Sequence, residues 1–173
     1  FHPQETEVDS DRLMAKESID DELGKLEKVN ALDSEFLMGA HIQRYEVGPE
    51  GQREKRLKLF APLAKGGELY QHYQNATYLN PKKSKAEQNL LLDEAKRNEI
   101  IKQLVKGYAA LHKNGLLQMD AKPENVLVMG PNGPVKIIDY GFLLEKGKDF
   151  GDGKEIDYPI GTAGYMAPEA VLS

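Results

Sequence analysis

Cysteine is absent from the 173 residues, which excludes disulfides and thiolate metal sites and suits a reducing compartment, or a bacterial protein built to avoid misoxidation. Histidine is sparse, and His2, His41, His72 and His112 stand apart without the spacing that a zinc site needs. Excess positive charge is missing as well. The net charge of -5 argues against non-specific nucleic-acid binding, which rests on Lys and Arg facing phosphates. No apolar run approaches the roughly 18 residues of a membrane span, and "FHPQETEVDSDR" has neither the basic opening nor the apolar core of a signal peptide. Without a methionine at its head, it does not read as a natural start. Internal repeats and low-complexity tracts are lacking too. What is present, 40% apolar and 29% charged residues, describes a soluble globular chain of one-domain length.

Periodicity then divides the chain. In "DDELGKLEKVNAL" the apolar Leu23, Leu26, Val29 and Leu32 recur at helical spacing behind the acids Asp20, Asp21 and Glu22, which a helix start favours. Two strand-like runs follow, "EFLMGAHIQRYEV" and "KRLKLFAPL", separated by "GPEGQRE", and they predict an antiparallel hairpin. "AKGGEL" is a break from which a helix can start at Glu68. The polar stretch "YLNPKKSKAEQ" reads as a loop with a solvated lysine face. The strongest helix signal is "DEAKRNEIIKQLVKGYAALHKNG", with Ile100, Ile101, Leu104, Val105, Tyr108 and Leu111 as its buried stripe and Gly115 as its stop. Two short strands, "NVLVM" and "VKIID", close on each other through "GPNGP".

That second hairpin gives the polar residues around it a chemical meaning. Asp120 precedes one strand and Asp139 ends the other, so both carboxylates reach the same edge, beside the amide of Asn125. Oxygen donors of this kind suit magnesium, which keeps several waters and needs few protein ligands. The ordered set "MDAKPEN", "DYG" and "GYMAPE" resembles the catalytic loop, the metal-binding segment and the APE segment of eukaryotic-type protein kinases, closest to the Ser/Thr branch.

The resemblance implies an α+β kinase-like fold and an ATP- and magnesium-dependent transfer of the γ-phosphoryl group to Ser/Thr hydroxyls of a protein substrate. It makes Asp120 the residue that accepts or orients the substrate hydroxyl, with Lys122 beside the transferred group and Asn125 and Asp139 as magnesium ligands. "FAPLAKGGEL" resembles the hinge, which puts adenine against the backbone of Pro62 and Ala64, Glu68 near the ribose, and the small Ala61 at the gatekeeper position. Glu22, or failing it Glu27, fits the helix glutamate that pairs with the strand lysine, for which Lys16 is the candidate, although only five residues separate Lys16 from Glu22. The implied organisation is a partial small lobe (1–61, helix C and a strand hairpin), a hinge (62–67) and a partial large lobe (68–173).

Departures from the family pattern shape the remaining expectations. The first glycine is Gly24, so no Gly-rich phosphate-covering loop precedes Lys16, and only four residues follow Glu169; the domain is expected to be incomplete. Gln118-Met119 replaces the family's His-Arg pair, which removes the cation that an activation-loop phosphate would neutralise. Phosphorylation should then not be needed as a switch, and the acids Asp149, Asp152, Glu155 and Asp157 either pair with lysines or form a solvated run. The alternative function is a pseudokinase or scaffold that holds a partner. ATP, a protein substrate and a regulatory protein are the expected partners, without nucleic acid or membrane. The expected location is the cytoplasm, which includes delivery of a bacterial effector into a host cell.

Overall fold

The computed structural model describes residues 19–49, 54–77, 94–130, 133–156 and 158–171. Helix α1 occupies residues 19–30 and buries Leu23 and Val29. Strands β1 (His41–Val47) and β2 (Glu54–Phe60) form an antiparallel hairpin that pairs His41 with Phe60 and Val47 with Glu54. Helices α2 (Leu69–Thr77) and α3 (Glu94–Lys113) follow. Beyond them lie β3 (Leu116–Gln118), a single 3₁₀ turn (Pro123–Asn125), β4 (Val126–Val128), β5 (Val135–Ile137), β6 (Leu143–Glu145) and the short α4 (Pro168–Val171). Besides β1–β2, the described strands make two more antiparallel pairs, β4 with β5 and β3 with β6.

The expected helix-plus-hairpin and the β4–β5 hairpin are both present, but the first strand starts later than its sequence suggests. Residues 35–40 do not pair with β2. Leu37 instead bridges Ile137 in parallel, the Phe36 carbonyl accepts from the Ile137 amide at 2.8 Å, and the Met38 amide donates to the Ile137 carbonyl at 2.9 Å. Backbone donors in a buried stretch must find acceptors somewhere, and here β5 supplies them. The segment that leaves α1 is therefore fastened to the β4–β5 hairpin.

Helix α3 carries Glu94 in its first turn and His112 and Lys113 in its last, matching the helix dipole. It ends at Gly115, which takes a left-handed φ of 71°. Its buried face is not the full expected stripe: Ile100, Gly107 and Leu111 are buried, whereas Ile101 and Val105 are more than half exposed. The reason is the close approach at Gly107, where a Cβ would lie 2.8 Å from Cδ1 of Ile137 and 3.2 Å from Cβ of Phe36. That contact turns the 101/105 row outward. The apolar core has two parts, with Val29, Leu37, Leu111, Leu116, Ile137, Tyr140 and Leu143 in one and Leu69, Ile100, Val126, Val128 and Val135 in the other; Leu104 packs against both.

The link from β2 to α2 is pinned to β4. The Gly66 amide donates to the Val128 carbonyl at 2.9 Å, and the Val128 amide donates to the Gly67 carbonyl at 2.8 Å. A Cβ at Gly66 would sit 2.6 Å from that carbonyl oxygen, so only glycine permits the approach. Among the described residues, no helix is long and apolar enough to cross a membrane.

Candidate active site

Pro123 opens the 3₁₀ turn and, by crowding the residue before it, holds Lys122 in extended backbone at φ −152° and ψ 158°. The chain then turns at once into β4, so Asp120, Lys122 and Asn125 are gathered within six residues of a rigid strand. Asp120 is 2% exposed, and a carboxylate so deeply placed must have its oxygens satisfied. Asn125 donates through Nδ2 to the Asp120 carbonyl at 2.9 Å and to Oδ2 at 3.0 Å. Lys122 Nζ lies 2.6 Å from the same Oδ2. On the other oxygen, the Thr162 hydroxyl donates to Oδ1, and Lys122 donates to that hydroxyl at 2.6 Å.

Burial alone would raise the Asp120 pKa. The bonds from Lys122, Thr162 and Asn125 outweigh it and hold the carboxyl below its ordinary value, while Asp120 raises the pKa of Lys122. Asp120 is thus ionised at neutral pH and is a weak base in the ground state. Such a group can accept a hydrogen bond from a hydroxyl and take its proton late, as that oxygen forms its new bond.

Asp139 follows β5 at the same end of the hairpin as Asn125, exposed, with a left-handed φ of 62° that few non-glycine residues other than Asn and Asp adopt. Its Oδ1 accepts from the Gly141 amide at 3.1 Å, and the Ile138 amide donates to the Asn125 carbonyl at 2.9 Å. The sharp turn of the DYG segment is made at Asp139, with Gly141 keeping the space a Cβ would take 3.3 Å from Oδ1. Asn125, its Nδ2 committed to Asp120, can offer a cation only its amide oxygen. Among the described residues no group of three or more His, Cys, Asp or Glu side chains gathers as a metal site. The donor set of one carboxylate and one amide oxygen fits a magnesium ion whose remaining ligands are phosphate oxygens and water.

Gln118, which departs from the family pattern, and Tyr140, the middle residue of DYG, both have defined work in this structure. Gln118, 8% exposed, donates through Nε2 to the Asp139 carbonyl, tying the end of β3 to the DYG turn. Tyr140 is buried in the core beside Val29 and Leu37, and its hydroxyl donates to the Ile137 carbonyl at 2.8 Å while accepting from the Met38 amide at 3.0 Å. Burial pushes its phenol pKa well above the usual range. Tyr140→Phe is expected to lower stability by about 1 kcal/mol, because the Met38 amide keeps its bond to Ile137. A melting point lower by roughly 2–4 °C in calorimetry is the result to look for.

Of the residues singled out in the sequence, Asp120, Lys122 and Asn125 meet directly, and Asp139 joins them through Gln118. Glu22 is exposed on α1 and, with Ala61, Met38, Tyr140 and Asp139, lines a cavity of about 320 Å³. The other glutamate weighed for that role, Glu27, pairs instead with Arg44 of β1 at 2.7 Å. Pro62 is exposed, the Ala64 carbonyl accepts from the Gly67 amide at 3.3 Å, and Glu68 bridges Leu127 of β4. Lys16 and Asp157 lie outside the described residues. Thr162, which no motif in the sequence singles out, belongs to the site. Gly161 delivers it: at φ 121° the backbone there passes so near the Met119 carbonyl that a Cβ would lie 2.6 Å from it.

The same residues place the chain among known proteins. A family model described as "Protein kinase domain" matches residues 11–173. Mouse sperm motility kinase 2B is 34% identical over 122 residues, 70% of this chain and 22% of its own length. A Dictyostelium discoideum protein named as a probable myosin light chain kinase is 31% identical over 131 residues, 75% of this chain and 36% of its own length. A Caenorhabditis elegans titin homolog is 27% identical over 148 residues, 85% of this chain and 1% of its own length. The chain thus spans a minor part of these relatives. Its catalytic-loop network, its DYG turn and the family match together make it a member of the protein kinase domain family.

Proposed function

We propose that this chain carries the phosphoryl-transfer centre of an ATP- and magnesium-dependent protein kinase acting on serine or threonine hydroxyls. The observation that carries the reading is the buried Asp120 carboxylate shared by Lys122, Thr162 and Asn125. Phosphoryl transfer needs positioning and charge neutralisation more than covalent help. Asp120 orients the attacking hydroxyl and takes up its proton. Lys122, between Asp120 and Thr162, presents its ammonium group to the transferred phosphoryl. Asn125 and Asp139 hold the metal, which when bound neutralises charge on the phosphate oxygens.

The remaining assignments belong to the same proposal. Residues 62–67 form the hinge between a small lobe (1–61) and a large lobe (68–173). The adenine meets the Pro62 carbonyl and the Ala64 amide, the ribose meets Glu68, and Lys16 with Glu22 orients the other phosphates. The Ser/Thr preference is supported by Lys122 and Thr162, and the cytoplasm supplies both ATP and protein substrates.

Transfer of label from γ-labelled ATP to Ser/Thr-containing peptides tests the reading, using the protein with all flanking sequence it has in its source. Magnesium-dependent label that is lost in alkali, where phosphotyrosine would survive, and that is recovered as phosphoserine or phosphothreonine is expected. Nucleotide binding without transfer would favour the scaffold reading, and label on tyrosine would overturn the hydroxyl class.

A further inference from the structure

Helix α1 meets the stretch after DYG through charges of alternating sign. Asp21 holds two lysines, Lys25 one turn along at 2.8 Å and Lys148 from the opposite side at 2.9 Å. Lys25 also donates to the carbonyl of Gly141, inside the DYG turn, at 2.8 Å. One further turn along, Lys28 pairs with Glu145 at the end of β6. The acceptor and donor residues of these cross-links lie more than a hundred positions apart in the chain. They therefore report tertiary placement and not local helix pairing.

Apolar packing does little at this face. Beneath the charges is a cavity of about 250 Å³ that reaches Leu116 and Leu144, and a Cβ placed at Gly24 would find nothing within 4 Å. The later turns of α1 are different: Val29 is in the main core cluster and Leu26 packs against it. Leu23 is buried on the other side, lining the cavity that also holds Glu22 and Tyr140. So α1 is anchored by methyl groups at one end, while its approach to residues 141–149 depends on ion pairs. Glu22 neighbours Asp21 and moves with it.

The segment on the receiving side is itself stiffened. The Glu145 amide donates to Oδ2 of Asp149 at 2.8 Å, and Lys154 donates to the carbonyls of Gly147 and Lys148 at 3.1 and 2.9 Å. Lys154 thus bonds backbone carbonyls of its own loop. Lys148 is left pointing at α1.

We infer that Asp21, Lys28, Glu145 and Lys148 are positioning residues that set the orientation of α1, and hence of Glu22, by ion pairing to residues 141–149 without any added phosphate. The inference rests on the kinase reading for its effect on transfer, but its geometry does not. It also accounts for a catalytic loop whose Met119 offers no cation to a phosphorylated loop.

Hydrogen exchange of the full chain, followed at the α1 amides with the α3 amides as internal reference, separates the possibilities. Lys28→Glu and Glu145→Lys, each alone, put like charges together and should speed α1 exchange severalfold with α3 unchanged. The double variant Lys28→Glu/Glu145→Lys should restore it. Raising salt from 0.1 to 1 M, which shortens the screening length from about 10 to about 3 Å, should speed α1 exchange in the parent protein and in the restored pair. Phosphoryl transfer should fall on the order of tenfold in the single variants, mainly through the KM for ATP, and recover in the double. Unchanged α1 exchange in the single variants, or exchange that the charge swap fails to restore, would overturn the proposal. If α3 exchange rises together with α1, the milder pair Lys148→Gln and Asp21→Asn is read by the same criterion. A parent protein without transfer activity would defeat the kinase reading while leaving the exchange result to decide this one.

Discussion

Asp139→Asn is expected to abolish the magnesium-dependent stabilisation by nucleotide while leaving the fold intact. Asparagine is the informative replacement because the residue sits at φ 62°, a conformation that Asn tolerates and Ala does not. Asn can also keep the acceptor that the Gly141 amide uses at 3.1 Å. The substitution therefore removes charge with little added strain, whereas Asp139→Ala would mix metal loss with a backbone penalty of about 1 kcal/mol or more. In the parent protein, nucleotide with magnesium at about 100 times its dissociation constant contributes about 2.7 kcal/mol. For a chain of this length that is a rise in melting temperature of roughly 5–10 °C. The variant should show no such rise on adding magnesium, with an unliganded melting temperature within a few degrees of the parent. An intact magnesium-dependent shift would mean that Asp139 is not a metal ligand.

How much of this site the sequence discloses depends on how local each signal is. The β4–β5 hairpin and the 20-residue α3 are written in turn residues and in a long apolar period, and both stand where they are expected. The β3–β6 pair is invisible at three residues a side, too short for any alternation to register and joined across a gap that contains the whole catalytic loop. On α3, periodicity cannot decide between adjacent rows of apolar residues. The close contact at Gly107 decides, and leaves Ile101 and Val105 outside.

Function follows the same division. Asp120, Lys122 and Asn125 lie within one short motif, and their bonds form within it. Thr162 is 42 residues from Asp120, and only folding reveals that its hydroxyl closes the network. Gln118, which stood out as a departure, proves to be bonded to the Asp139 carbonyl, and the Tyr140 hydroxyl joins two backbone groups of segments that a Phe would leave linked by their own two backbone hydrogen bonds. The charge run after DYG, with no pattern of its own, acquires its meaning from α1, more than a hundred residues earlier.

Asp120→Asn should reduce transfer by about 10²–10⁴-fold, chiefly in kcat. The carboxylate accepts from Asn125 and Lys122 at one oxygen and from Thr162 at the other, so every neighbour of these two atoms is a donor. A carboxamide must place its NH₂ against one side of that set, facing a donor with a donor and leaving it unsatisfied. The proton acceptor is lost in the same change. Magnesium-dependent nucleotide binding should survive, because Asn125 and Asp139 are untouched, and that separates this variant from Asp139→Asn. Stability should follow pH in a matching way. The Asp120 pKa is lowered in the fold, so its contribution is complete above the unfolded carboxyl value of about 3.9 and fades as pH falls through the lower folded value. The variant should accordingly melt below the parent at neutral pH and lose less stability than the parent under acid. Transfer unchanged by Asp120→Asn would show that the labelled product comes from another enzyme, and a drop in nucleotide affinity as large as the drop in kcat would mean that Asp120 supports the site and does not face the attacking hydroxyl.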